Sequence, residues 1–148
     1  MTEKCVWDDL VKRDGLFYKK FTDVPFTGEV TGKEQGLIQD RIFRDGKEVG
    51  ARVTYYKNGQ LKNKGTYKDG KEDGPWVEYY DNGQLWIKGT YKDGKEDGPW
   101  VGYHDNGQLS YKGTYKDGER DGPWVGYDED GTVVGWKTGT FKDGEKID

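Results

Sequence analysis

The sequence predicts an all-β fold: an elongated, single-layer antiparallel meander of consecutive β-hairpins, twisted or rolled. Three observations carry this expectation. First, the chain repeats itself at a fixed period. GTYKDGKEDGPWVEYYDNGQLWIK (65–88) is followed by GTYKDGKEDGPWVGYHDNGQLSYK (89–112), and the two agree at 20 of 24 positions. Self-similarity at such a period means one supersecondary unit stacked on copies of itself. Second, each unit holds two Asx-Gly turn signals, Asp81-Asn82-Gly83-Gln84 and Lys68-Asp69-Gly70-Lys71 in the first of these blocks. Glycine takes positive φ without steric cost, so Asx-Gly between apolar residues marks a hairpin. Third, the segments between turns are rich in Tyr, Trp, Val and Thr, while the whole chain holds 24 Gly and a single Ala. That composition favours strands and turns over long helices.

The elements follow in order. Residues 1–40 read as an N-terminal cap with a degenerate repeat. Aromatic–Gly–Val fragments survive there (Phe17-Tyr18, and Phe26 to Val30) but the spacing is lost. Terminal units of an array are usually atypical, because they must cap rather than stack. Residues 41–148 read as the repeats, starting near 41, 65, 89 and 113 with a partial copy at 139. The 41–64 block matches its successor at 13 of 24 positions. The 113 block is two residues longer than the others. About eleven strands are expected, and at ~4.8 Å per strand they span roughly 50 Å.

The turn register decides which side chains share a face. A two-residue Asn82-Gly83 loop would pair Tyr80 with Leu85 and set Trp76 opposite Gly89. A three-residue loop with a bulge at Gly83 would pair Tyr79 with Leu85 and Val77 with Ile87. The second is preferred. It gathers Val77, Tyr79, Leu85, Gly89 and Tyr91 on one packed face. The opposite face then carries Trp76, Trp100 and Trp124 in a row. Between them lie the positions that differ between repeats: Glu78, Tyr80 with its counterpart His104, and Trp86. These seven residues are the candidate binding surface. Cross-strand packing is the heavier reading for the Trp row, and the variable neighbours are the better candidates for specificity.

The pattern Tyr55-Tyr56-Lys57-Asn58-Gly59-Gln60-Leu61, Gly65, Tyr67-Lys68-Asp69-Gly70-Lys71, Gly74 and Trp76 resembles the MORN repeat, in its bacterial variant form. It returns from Tyr79 to Trp100 and from Tyr103 to Trp124, so the resemblance covers roughly residues 41–144. It implies a rolled antiparallel sheet doing non-enzymatic work. In such proteins that work is protein interaction, phospholipid contact in some members, and antitoxin or immunity roles in some bacterial members. The family has no catalytic residues to carry over. The 113 block departs from the pattern at Glu129-Asp130-Gly131-Thr132 and around Val134–Trp136, where regular pairing is not counted on.

Chemistry elsewhere in the chain is sparse. Net charge is −4, with Lys and Asp/Glu interleaved in each repeat. That mixed surface does not favour nucleic acid, which calls for a basic face. The same acidity and lack of a basic cluster count against a membrane surface. His104, Ser110 and Cys5 are each single, with no base in reach by sequence, so no nucleophile–base pair can be assembled. Residues 69–74 superficially resemble a calcium loop. However, Lys71 stands where an oxygen ligand is required, and turn chemistry explains the segment better. No metal or other cofactor is expected. A lone cysteine excludes an intramolecular disulfide and fits the cytoplasm. Met1–Leu10 has no apolar run, so no signal peptide is read there; a leader ending before Cys5 would instead make it a lipid-anchor site, the less favoured reading. The expectation is therefore a non-enzymatic module, monomeric or weakly dimeric, with a protein partner that in the sharpest version is a toxin. Membrane-surface or glycan binding is the alternative.

Overall fold

The computed structural model describes residues 3–148. The N-terminal strands are β1 (Lys4–Cys5), β2 (Leu10–Arg13) and β3 (Leu16–Lys19). Then come β4 (Gly28–Glu34), β5 (Leu37–Arg44), β6 (Lys47–Tyr55), β7 (Leu61–Lys68), β8 (Lys71–Tyr79) and β9 (Leu85–Lys92). The remainder are β10 (Lys95–Glu96), β11 (Gly98–Tyr103), β12 (Leu109–Lys116), β13 (Glu119–Arg120), β14 (Gly122–Gly126), β15 (Gly139–Lys142) and β16 (Glu145–Lys146). The described residues contain no α-helix, only short 3-10 turns at Trp7–Asp9 and Gly135–Lys137. None of them forms a helix long and apolar enough to cross a membrane.

From β4 onward each strand pairs with its sequence neighbour, as a meander of hairpins requires. β10 with β11, and β13 with β14, are single strands interrupted at Asp97 and Asp121. Counted so, eleven strands run from β4 to β16. One pairing is not antiparallel: β1 lies parallel to β4, with Cys5 opposite Val30. It closes one end of the sheet beside the separate β2–β3 hairpin. Trp7, Leu10, Phe26, Val30 and Phe43 are buried together there, with Phe17 packed against them. The other end is less regular. An isolated Tyr127–Val133 bridge and the 3-10 turn occupy the insertion of the last repeat.

The hairpin register corrects the expected faces. Beside the Asn82-Gly83 turn Tyr79 pairs with Leu85, as the three-residue loop requires. Trp86 is then an extra residue on β9, and beyond it Glu78 pairs with Ile87, Val77 with Lys88 and Trp76 with Gly89. The bulge cancels the offset that the turn introduced. Val77 therefore does not pair with Ile87. Gly89 and Tyr91 share a face with Trp76, not with Val77.

Trp76, Trp100 and Trp124 consequently lie in the packed face, not on an open one, at 6%, 3% and 3% exposure. Their neighbours explain why. Glycine flanks each of them across the sheet, giving the row Gly65, Trp76, Gly89, Trp100, Gly113, Trp124, Gly139. Each indole lies over the glycine before it, in the volume a Cβ would occupy. Tyrosines fill the gaps between indoles. Tyr67, Trp76, Tyr91, Trp100, Tyr115, Trp124 and Phe141 form a continuous series of edge-to-face contacts, with ring centroids 4.9–6.4 Å apart. That geometry suits the aromatic quadrupole. Arginine closes the series at both ends, Arg52 over Tyr67 at 4.1 Å and Arg120 over Phe141 at 5.2 Å. In this way a single-layer sheet buries one face without a second layer.

Candidate interaction surface

Because the Trp row is turned inward, the residues between its members point the other way. Two rows of side chains result. One reads Lys64, Val77, Lys88, Val101, Lys112, Val125, and each adjacent pair is set by strand register. The other runs through Thr66, Pro75, Thr90, Pro99, Thr114 and Pro123. Together they line an open groove of about 1160 Å³ that spans the three central repeats. The threonines and prolines are exposed and the valines half-buried. Lys64, Lys88 and Lys112 make no ion pair among the described residues. In a chain of net charge −4 the groove is thus apolar, with a line of unneutralised cations along it.

The groove is missing from the sequence-based candidates. The signal was present, since Lys, Thr, Pro and Val recur unchanged at these positions in every central block. Invariance between repeats points first to stacking, and that reading hides the groove.

The seven candidates are distributed over different environments. The three Trp are buried, as described. Trp76 Nε1 donates to Glu78 Oε1 at 2.8 Å, which ties that half-buried carboxylate to the packed face. Trp100 and Trp124 instead donate to the carbonyls of Thr90 and Thr114. Trp86, the bulge residue, is 40% exposed and lies 5.5 Å from the Tyr80 ring. Among the candidates this pair is the one that reaches solvent as an aromatic cluster.

Tyr80 and His104 belong to a ladder along the turn edge of the sheet. The Tyr56 hydroxyl donates to the carbonyl of Tyr79, the Tyr80 hydroxyl to that of Tyr103, and His104 Nε2 to that of Tyr127, each at 2.7–2.8 Å. Beside them Asn58, Asn82 and Asn106 donate from Nδ2 to the carbonyls of Asp81, Asp105 and Glu129. Every rung spans 23 residues and so joins one repeat to the next. In the last repeat the donors are gone. Asp128 stands in the Tyr/His position and Asp130 in the Asn position. These residues can only accept when ionised. Asp130 keeps the local half of the motif, accepting from the Thr132 amide, which holds its carboxyl below the usual range.

Reactive groups do not converge. His104 is engaged in the ladder, Ser110 lies on β12, and Cys5 is buried in the cap. Burial and nearby Asp9 push its thiol pKa up, away from nucleophilic character. Among the described residues no three His, Cys, Asp or Glu side chains come together as metal ligands. The one buried charge cluster is structural in geometry. Arg52 forks onto Glu48 at 2.7 and 2.5 Å, Arg41 approaches the same carboxylate at 3.9 Å, and Arg41 also lies over the Trp7 ring. It links the cap to the first ring of the aromatic series.

No curated protein matches this chain. Repeats of the MORN type are generally protein- or membrane-binding modules. Residues 48–69, 72–93 and 96–117 each match the MORN repeat variant, three consecutive matches in the middle of the chain.

Proposed function

We propose that this protein is a non-enzymatic interaction module that receives a partner protein in the groove opposite the Trp row. One observation carries the reading. The groove is large, open and apolar, and it is left uncovered on a sheet whose other face buries the Trp row. A well-formed apolar groove with a few polar groups converging on it is the default place for a binding site. The lysine line adds a preference for a partner that brings acidic groups beside apolar ones, since like-charged surfaces would be repelled. Trp86 and Tyr80 lie away from the groove rows and extend the surface toward the turn edge. In its sharper form the module is an antitoxin- or immunity-like protein that occludes its target, working in the cytoplasm, where a single free thiol is at home.

The test pairs binding with folding. Val77→Glu, Val101→Glu and Val125→Glu together should abolish capture of the partner that the wild-type protein retains from its native lysate. The circular dichroism spectrum and melting temperature should be little changed. Capture undiminished in a folded triple variant would remove the groove as the binding surface. Retention of the wild-type protein on anionic lipid vesicles, without a protein partner, would assign the surface to membranes instead.

A further inference from the structure

We propose that Asn58-Gly59, Asn82-Gly83 and Asn106-Gly107 are latent deamidation sites that repeat stacking holds unreactive, and that they open in order from the C-terminal end. The reaction needs only water. The glycine backbone nitrogen attacks the asparagine side-chain carbonyl carbon, a C–N bond forms, and the side-chain nitrogen leaves as ammonia with the displaced proton. Water then hydrolyses the five-membered imide to aspartate or isoaspartate. Glycine after asparagine offers the least steric resistance to that ring closure.

In the folded protein each participant is held elsewhere. The Gly107 amide donates to the His104 carbonyl at 2.9 Å. Asn106 Oδ1 accepts from the Gln108 amide at 2.9 Å, and Nδ2 donates to the Glu129 carbonyl at 3.0 Å. The same three bonds recur at Asn82 and Asn58. The carboxamide is pinned at both ends, and one of the pins belongs to the following repeat. Ring closure therefore requires that repeat to move away.

The pins are not equally secure. Asn58 and Asn82 reach turns that are themselves tied onward, through Asn82 and Asn106. Asn106 reaches the Asp128–Thr132 turn, where Asp130 replaces Asn and makes only the local bond from the Thr132 amide. Beyond it β14 pairs with β15 at only three positions. Terminal units of a repeat array open at lower free-energy cost than internal ones. Asn106 is thus the first site exposed.

The product has a counterpart within this chain. An aspartate at 106 would match Asp130, which accepts from the residue two positions on and donates to nothing. Deamidation converts an internal turn into a second terminal one and uncouples the last repeat from the array.

The full-length protein is incubated in mildly alkaline buffer, native and in denaturant, and conversion is followed by peptide mass spectrometry. Asn63, which precedes Lys64, serves as the unreactive reference. In denaturant the three Asn-Gly sites should convert at similar rates. Natively all should slow by about tenfold or more, with Asn106 fastest. Equal native and denatured rates, or Asn58 converting first, would overturn the proposal. Asn106→Asp supplies a second readout. Amide exchange over 113–148 should accelerate while that over 41–88 is unchanged, and unchanged exchange throughout would refute the uncoupling.

Discussion

Trp100 lies directly over the backbone of Gly89, and its indole carbons fill the position a Cβ on that glycine would take. Gly89 is not needed there for positive φ. It is needed as floor space. Gly89→Ala should therefore destabilise the fold by about 1–3 kcal/mol through overpacking. Trp100→Ala should cost about 3–5 kcal/mol, as expected for a buried aromatic. Because both changes act on one contact, they should not add. In the Trp100→Ala background the alanine at 89 should cost much less. Urea denaturation of the four proteins in this cycle measures the coupling, and strict additivity would show that the indole does not depend on the glycine.

Much of this architecture is legible in the sequence, and the limit has an identifiable cause. Asn82-Gly83 and Asp69-Gly70 give the hairpins, and the 24-residue period gives their stacking. The Tyr79–Leu85 pair follows from the turn alone. The face of Trp76 does not, because Trp86 adds a bulge whose offset cancels that of the turn. A two-residue register and a three-residue one with a further bulge at Trp86 both set Trp76 opposite Gly89, so the alternation of residue types could not separate them. The groove is lost in the same step, since that register puts Val77 on the packed face. The parallel β1–β4 contact has no local signal, being made between segments more than twenty residues apart. The ladder was readable in principle: among the blocks starting near 41, 65, 89 and 113, only the last carries Asp128 and Asp130 in place of Tyr/His and Asn.

The ladder makes a quantitative expectation at Tyr80. Its hydroxyl bonds the carbonyl of Tyr103 at 2.7 Å in a half-buried position. Tyr80→Phe keeps the ring beside Trp86 and removes only that bond. The cost should be about 0.5–1.5 kcal/mol by chemical denaturation. Tyr55→Phe is the control, since its hydroxyl makes no such inter-repeat bond and its replacement should be nearly neutral. Equal effects at the two positions would deny the ladder any share in stability.

Glu48 is the buried acid on which Arg52 and Arg41 converge. Removing it leaves two half-buried guanidinium groups facing each other. Glu48→Ala should cost about 3–5 kcal/mol, the range for breaking one side of a buried ion pair. Glu48→Ala combined with Arg52→Met should recover part of that loss, because one of the stranded charges is also gone. Thermal melting of the single and double variants decides the matter; a double variant no more stable than the single would mean that packing, not charge, is what Glu48 supplies.

Burial pushes the hydroxyl pKa values of Tyr91 and Tyr111 up to about 12, against an ordinary value near ~10 in the unfolded chain. The sign of the consequence follows from which state releases protons first. Below the unfolded value both states are protonated and the stability is fully present. As pH rises past it, the unfolded chain ionises while the folded one does not. The unfolded state then binds fewer protons, and stability falls with pH until the folded hydroxyls also ionise. The window is therefore bounded by ~10 and about 12. Tyr67 adds to the effect, its pKa also raised, mainly by burial. Urea midpoints measured across this window should decline for the wild type. Tyr91→Phe and Tyr111→Phe, which keep one ring against Trp76 and Trp100 and the other stacked on Trp124, should flatten the decline without lowering stability at neutral pH. A decline of the same steepness in the double Phe variant would assign the alkaline sensitivity to groups other than these two hydroxyls.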